Sequence, residues 1–169
     1  MIINECFYEL KTPCSIYDQI AGCIDMPDAK WFNQYSFDIL VLPEMLIRSD
    51  PVMAALYNEF DIKSTSPVFL KMGSNLHYKF HKDTVRTCAI NMLMTGWDSH
   101  SFWGRPYETG EDLHHIKELK YKPRHYYLID TKTEHAVLNF NEPRVVFTLG
   151  FNPPYTFDIV KEFIMDNNL

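Results

Sequence analysis

Between residues 67 and 151 the chain breaks into short hydrophobic runs: PVFLKM, LHYKFH, RTCAINMLM, HHIKELKY, RHYYLID, HAVLNF and RVVFTLGF. Each is rich in β-branched or aromatic residues, and Gly, Asn, Pro or Asp separates one from the next. That length and punctuation predict β-strands. The runs lie too close together for helices to fit between successive strands, which excludes a parallel α/β sheet. The expected architecture is therefore mainly β, a jelly-roll (double-stranded β-helix) core over 67–151 with helices packed outside it.

Helical signals fall outside that region. Residues 1–66 read as a mixture of helices and strands. Ser15 to Gly22 predicts a short helix capped by Ser15 after Pro13. Asp50-Pro51 before VMAALYNEF is a stronger start, because Asp accepts from free amides and Pro suits the first helical position. A last helix is expected over 154–167. The stretch TGWDSHSFWGRPYETGEDL, residues 95–113, carries too much Gly and Pro for a regular core strand and predicts a loop or distorted hairpin. No repeat or linker divides the 169 residues, so one domain is expected.

With 46% hydrophobic residues there is ample material for a core. A net charge of −6 argues against a surface that neutralises the phosphates of duplex nucleic acid, and favours a small-molecule or peptide-like partner. No window approaches the roughly 20 apolar residues that span a bilayer, and the first residues lack the basic start of a signal peptide. A cytoplasmic location is expected. The four cysteines form no C-x-x-C pair and read as buried, reduced thiols.

Candidate chemistry begins at His81-Lys82-Asp83. On a strand, this spacing sends both side chains to one face, where they can chelate. H-x-D alone arises readily by chance. His135 adds weight, since it opens another predicted strand after room for roughly five strands. Two His and one carboxylate on one face of an octahedral iron leave positions open for a bidentate co-substrate and dioxygen. Arg144 begins RVVFTLGF. Val146, Thr148 and Gly150 would share its face, while Val145, Phe147, Leu149 and Phe151 pack on the other. A guanidinium inside a barrel calls for an anion, and its fork fits a carboxylate. Asn91 would face inward if Ala89 and Leu93 do, with Arg86 on the opposite face by parity.

The segments HKDTVRTCAINMLM and EHAVLNFNEPRVVFTLGF resemble the 2-oxoglutarate and iron(II)-dependent dioxygenases, in particular their small prolyl-hydroxylase-like members from phages and bacteria. The resemblance covers residues 67–151. It implies iron(II) held by His81, Asp83 and His135, and 2-oxoglutarate held at its far carboxylate by Arg144, where prolyl hydroxylases usually carry Lys. Asn91 is a second candidate for the co-substrate. The implied reaction couples oxidative decarboxylation of 2-oxoglutarate, giving succinate and carbon dioxide, to hydroxylation of a substrate.

The remaining histidines, His77, His100, His114, His115 and His125, read as surface or packing residues. Trp97 and Trp103 are expected either to plug the barrel or to line the mouth above the iron, with Arg105 offering charge to a substrate. Two rivals stand beside the oxygenase. One is a metal-binding cupin-like protein without 2-oxoglutarate, although the H-x-H and Glu pattern of cupins is missing. The other is a non-catalytic jelly-roll binding or structural module.

Overall fold

A computed structural model describes residues 5–34, 36–62, 65–104 and 116–169. Its elements run in the order β1 (Phe7–Glu9), α1 (Tyr17–Gly22), β2 (Phe32–Gln34), β3 (Phe37–Val41), α2 (Glu44–Ile47), α3 (Pro51–Glu59), β4 (Val68–Met72) and β5 (Leu76–His81). There follow β6 (Cys88–Thr95), β7 (His100–Trp103), β8 (Lys117–Leu119), β9 (Tyr127–Asp130), β10 (His135–Asn139), β11 (Arg144–Phe151) and α4 (Phe157–Asp166).

The strands form two antiparallel sheets. The larger has the order β1-β9-β6-β11-β4-β3-β2, the smaller β5-β10-β7-β8. From β4 to β7, and again from β8 to β11, the chain steps from one sheet to the other at each strand. This alternation winds the two layers into the expected jelly-roll.

Most of the core lies on one side of the larger sheet. Ile90, Met92 and Met94 of β6 and Val145, Phe147, Leu149 and Phe151 of β11 pack with Ile20 of α1, Met53 and Leu56 of α3, and Val160 and Ile164 of α4. A smaller cluster of Cys6, Ala89, Trp103, Leu119, Tyr127 and Ile129 lies between the sheets. The four cysteines are free.

Two local expectations change. Ser15 does not cap α1: its backbone N and hydroxyl donate to Asp50 Oδ2 at 2.9 and 2.7 Å. Asp50 does cap α3, accepting from Val52 N at 3.0 Å and Met53 N at 3.2 Å through its other oxygen. One buried carboxylate thus serves two chain segments and leaves no cap for the first. Within 95–113, His100–Trp103 is a regular strand, β7, between β10 and β8. Its partners are distant in sequence, so local punctuation concealed it. No described helix is long and apolar enough to cross a membrane.

Candidate metal centre

His81 ends β5 and His135 opens β10, and the two residues are direct cross-strand partners. Asp83 lies past the end of β5, so the pair is not displayed on one continuous strand as its spacing suggested. The loop brings it back instead. Asp83 N donates to Thr131 O at 2.9 Å, and Lys132 Nζ donates to the carbonyls of Asp83 and Thr84, each at 3.0 Å.

The three side chains converge. Asp83 Oδ1 lies 3.5 Å from His81 Nε2 and 3.9 Å from His135 Nε2, and one ligand atom from each residue lies within 4.8 Å of the others. His81 Nδ1 donates to Lys79 O at 2.9 Å, and His135 Nδ1 donates to Thr133 O at 2.9 Å. A carbonyl only accepts, so these bonds place a proton on each Nδ1 and turn each Nε2 toward Asp83. Three such donor atoms brought together could hold a cation. The bonds at Nδ1 are also the outer contacts that orient metal-binding histidines. Bonds of about 2 Å from each atom to a shared ion are compatible with this spacing.

Electrostatics divides the two rings. Burial opposes the charged form of His81, but Asp83 and the Lys79 carbonyl outweigh it and raise its pKa. Burial lowers the pKa of His135. Burial also works against the Asp83 carboxylate, yet His81, Arg86 and His135 hold its pKa below the usual value. Packing fixes the rings: Tyr78 meets His81 edge-on at 4.3 Å, and Trp103 stacks on His135 at 5.7 Å.

Arg144 faces the space between the sheets and is only 4% exposed. Its Nε donates to Ser99 Oγ at 3.1 Å and a terminal nitrogen to Ser101 Oγ at 3.2 Å, while the guanidinium lies 5.9 Å from the Tyr121 ring centre. Among the described residues no carboxylate pairs with it. The Tyr121 hydroxyl lies beside Arg144, Asn91 and Ser101, and Asn91 Oδ1 is buried without a hydrogen-bond partner among the described residues. Ser101 is two residues from Trp103, the cross-strand partner of His135, so this polar cluster meets β7 about 7 Å along the strand from the level of His135.

The other expected site residues separate. Trp97 is 43% exposed on the turn after β6. Trp103 is 2% exposed, with its Nε1 donating to Asp130 O at 3.0 Å. It braces a histidine ring from within the sheets, which differs from the open wall of a mouth. Arg105, His114 and His115 lie outside the described residues. His77 pairs with Leu138 away from the triad, and His100 bonds Glu118.

Sequence reasoning passed over Ser99, Ser101 and Tyr121, which carry no local signal, and it turned Arg86 the wrong way. The chain bends before β6, and Arg86 reaches Asp83 Oδ2 through Nε at 2.8 Å and a terminal nitrogen at 2.7 Å.

No protein-family model matches the sequence, and no curated protein matches it. Solved structures do resemble the fold. A Pseudomonas putida prolyl-4-hydroxylase aligns over 88% of this chain and 93% of its own at 11% identity, with a TM-score of 0.58. A 2OG-Fe(II) oxygenase family oxidoreductase from Burkholderia pseudomallei aligns over 80% and 77% at 8% identity, also with a TM-score of 0.58. The Drosophila melanogaster CENP-C cupin domain is more distant, at a TM-score of 0.45 and 10% identity over 73% and 76%. At these identities the likeness establishes the fold alone, a jelly-roll.

Proposed function

We propose that the protein is a non-haem iron(II) oxygenase that uses 2-oxoglutarate to hydroxylate a small-molecule or peptide-like substrate. One juxtaposition carries the reading. Three converging donor atoms that could hold a cation stand about 7 Å along one strand from a buried guanidinium that lacks a carboxylate partner among the described residues. A keto acid with a second carboxylate satisfies both ends.

On this reading His81, Asp83 and His135 hold the metal, and Arg144, Ser99 and Ser101 hold the far carboxylate. Asn91 and Tyr121 add polar contacts beside it. Two histidines and a carboxylate suit iron(II) and leave positions for co-substrate and oxygen. When bound, the iron and keto acid would activate dioxygen, the oxidant, with one oxygen atom going to succinate as carbon dioxide leaves and the other to the substrate. The chain's own residues bind and orient. The Nδ1 bonds to Lys79 and Thr133 hold the ring tautomers, and Trp103 and Tyr78 hold the ring planes. Burial strengthens the hold of Arg144 on an anion, because few waters compete there.

The test is anaerobic titration. Iron(II) followed by 2-oxoglutarate should give a weak visible charge-transfer band that needs both, and air should then yield succinate. Tight iron binding with neither band nor succinate would reject the reading.

A further inference from the structure

We infer that Arg86 is a positioning residue that selects which oxygen of Asp83 is offered to the metal, an inference that rests on reading His81, Asp83 and His135 as one metal site. Two guanidinium nitrogens engage the same oxygen, Asp83 Oδ2, at 2.8 and 2.7 Å. The third donates to Thr148 Oγ1 at 3.2 Å. All three nitrogens are thereby committed, and the other oxygen, Oδ1, is the one facing both histidine Nε2 atoms.

The torsion that turns a carboxylate about its stem is broad and roughly two-fold, so an unrestrained Asp can exchange its oxygens or present both. A fork fixed at both ends removes that freedom. The fold reserves space for it. Thr148 and Gly150 share one face of β11, and a Cβ at Gly150 would stand 2.6 Å from Arg86 Cδ. The glycine thus opens a lane in which the arginine stem crosses the strand, and Thr148 anchors its end. An ordinary exposed ion pair has neither a reserved lane nor a third anchor.

The experiment titrates the metal-free protein with cobalt(II) alone, reading affinity and the visible ligand-field spectrum. Arg86→Ala should weaken cobalt binding by about 10- to 100-fold, as loss of an outer partner does, and should change the spectrum because both Asp83 oxygens become available. Arg86→Lys should recover part of the affinity by restoring charge without the fork. Gly150→Ala should shift the spectrum in the same direction as Arg86→Ala by blocking the lane. Folded Arg86→Ala with wild-type affinity and spectrum would overturn the inference. If that variant does not fold, wild-type spectra in both Arg86→Lys and Gly150→Ala would overturn it equally. His81→Ala separates the two claims. Cobalt binding that survives in it rejects the metal site itself, whereas binding lost there but untouched in Arg86→Ala rejects only the role of Arg86.

Discussion

At the scale of single residues, Arg144 sets binding against stability. Burial lowers its pKa, yet an arginine stays charged under ordinary conditions, so the fold bears the cost of a desolvated cation whose partners among the described residues are hydroxyls and a ring. Arg144→Met should leave the free protein at least as resistant to urea as the wild type. The same variant should lose the rise in Tm that 2-oxoglutarate and iron give the wild type, and a clear urea destabilisation would contradict this account. Arg144→Lys should raise the KM for the keto acid with a smaller effect on kcat, since a point charge replaces a fork. At the triad, His135→Ala should weaken metal binding by more than about 100-fold, beyond the usual effect of an outer partner. His77→Ala should leave it unchanged, and a titration with iron(II) or cobalt(II) compares the two.

At the scale of elements, α3 depends on one carboxylate. Asp50 is fully buried, caps the helix and ties in Ser15, so Asp50→Ala should cost at least about 2 kcal/mol in urea unfolding, the upper end for a lost cap. Trp103→Ala should cost about 3–5 kcal/mol by opening a cavity, and should weaken metal binding through the loosened His135 ring. A normal Tm in that variant would return Trp103 to the role of a pocket wall. These elements also mark what could be read in advance. The strands β4, β5, β6, β9, β10 and β11 were legible because each is a short run rich in β-branched and aromatic residues bounded by turn-forming ones. The faces of β11 followed directly, with Phe147 and Leu149 in the core and Arg144 and Thr148 turned to the site. The three-residue strands β1 and β2 are too short to show a period. Arg86 was misplaced because counting alternate residues assumes an unbroken strand, and the chain bends between Asp83 and Cys88. Ser99, Ser101 and Tyr121 meet Arg144 only through pairings distant in sequence.

At the scale of the whole molecule, the two layers are unequally held. β6 and β11 are buried along almost their whole length against the helices, while β5 is largely exposed or half-buried. The smaller sheet, which carries both candidate histidine ligands, therefore lies outside the main core. Amide hydrogens of β5 and β10 should exchange faster than those of β6 and β11, and metal with keto acid should slow the former selectively. Equal protection in the two sheets would contradict the division. The register of β7 has a separate consequence. Trp103 sets the position of His135, Ser101 sets that of Arg144, and the pleat between them is a fixed number of peptide units. On the proposed function, that strand is a ruler for acid length. Oxaloacetate, one methylene shorter than 2-oxoglutarate, should fail to reach both marks and should compete at least about tenfold less well for the iron-loaded protein.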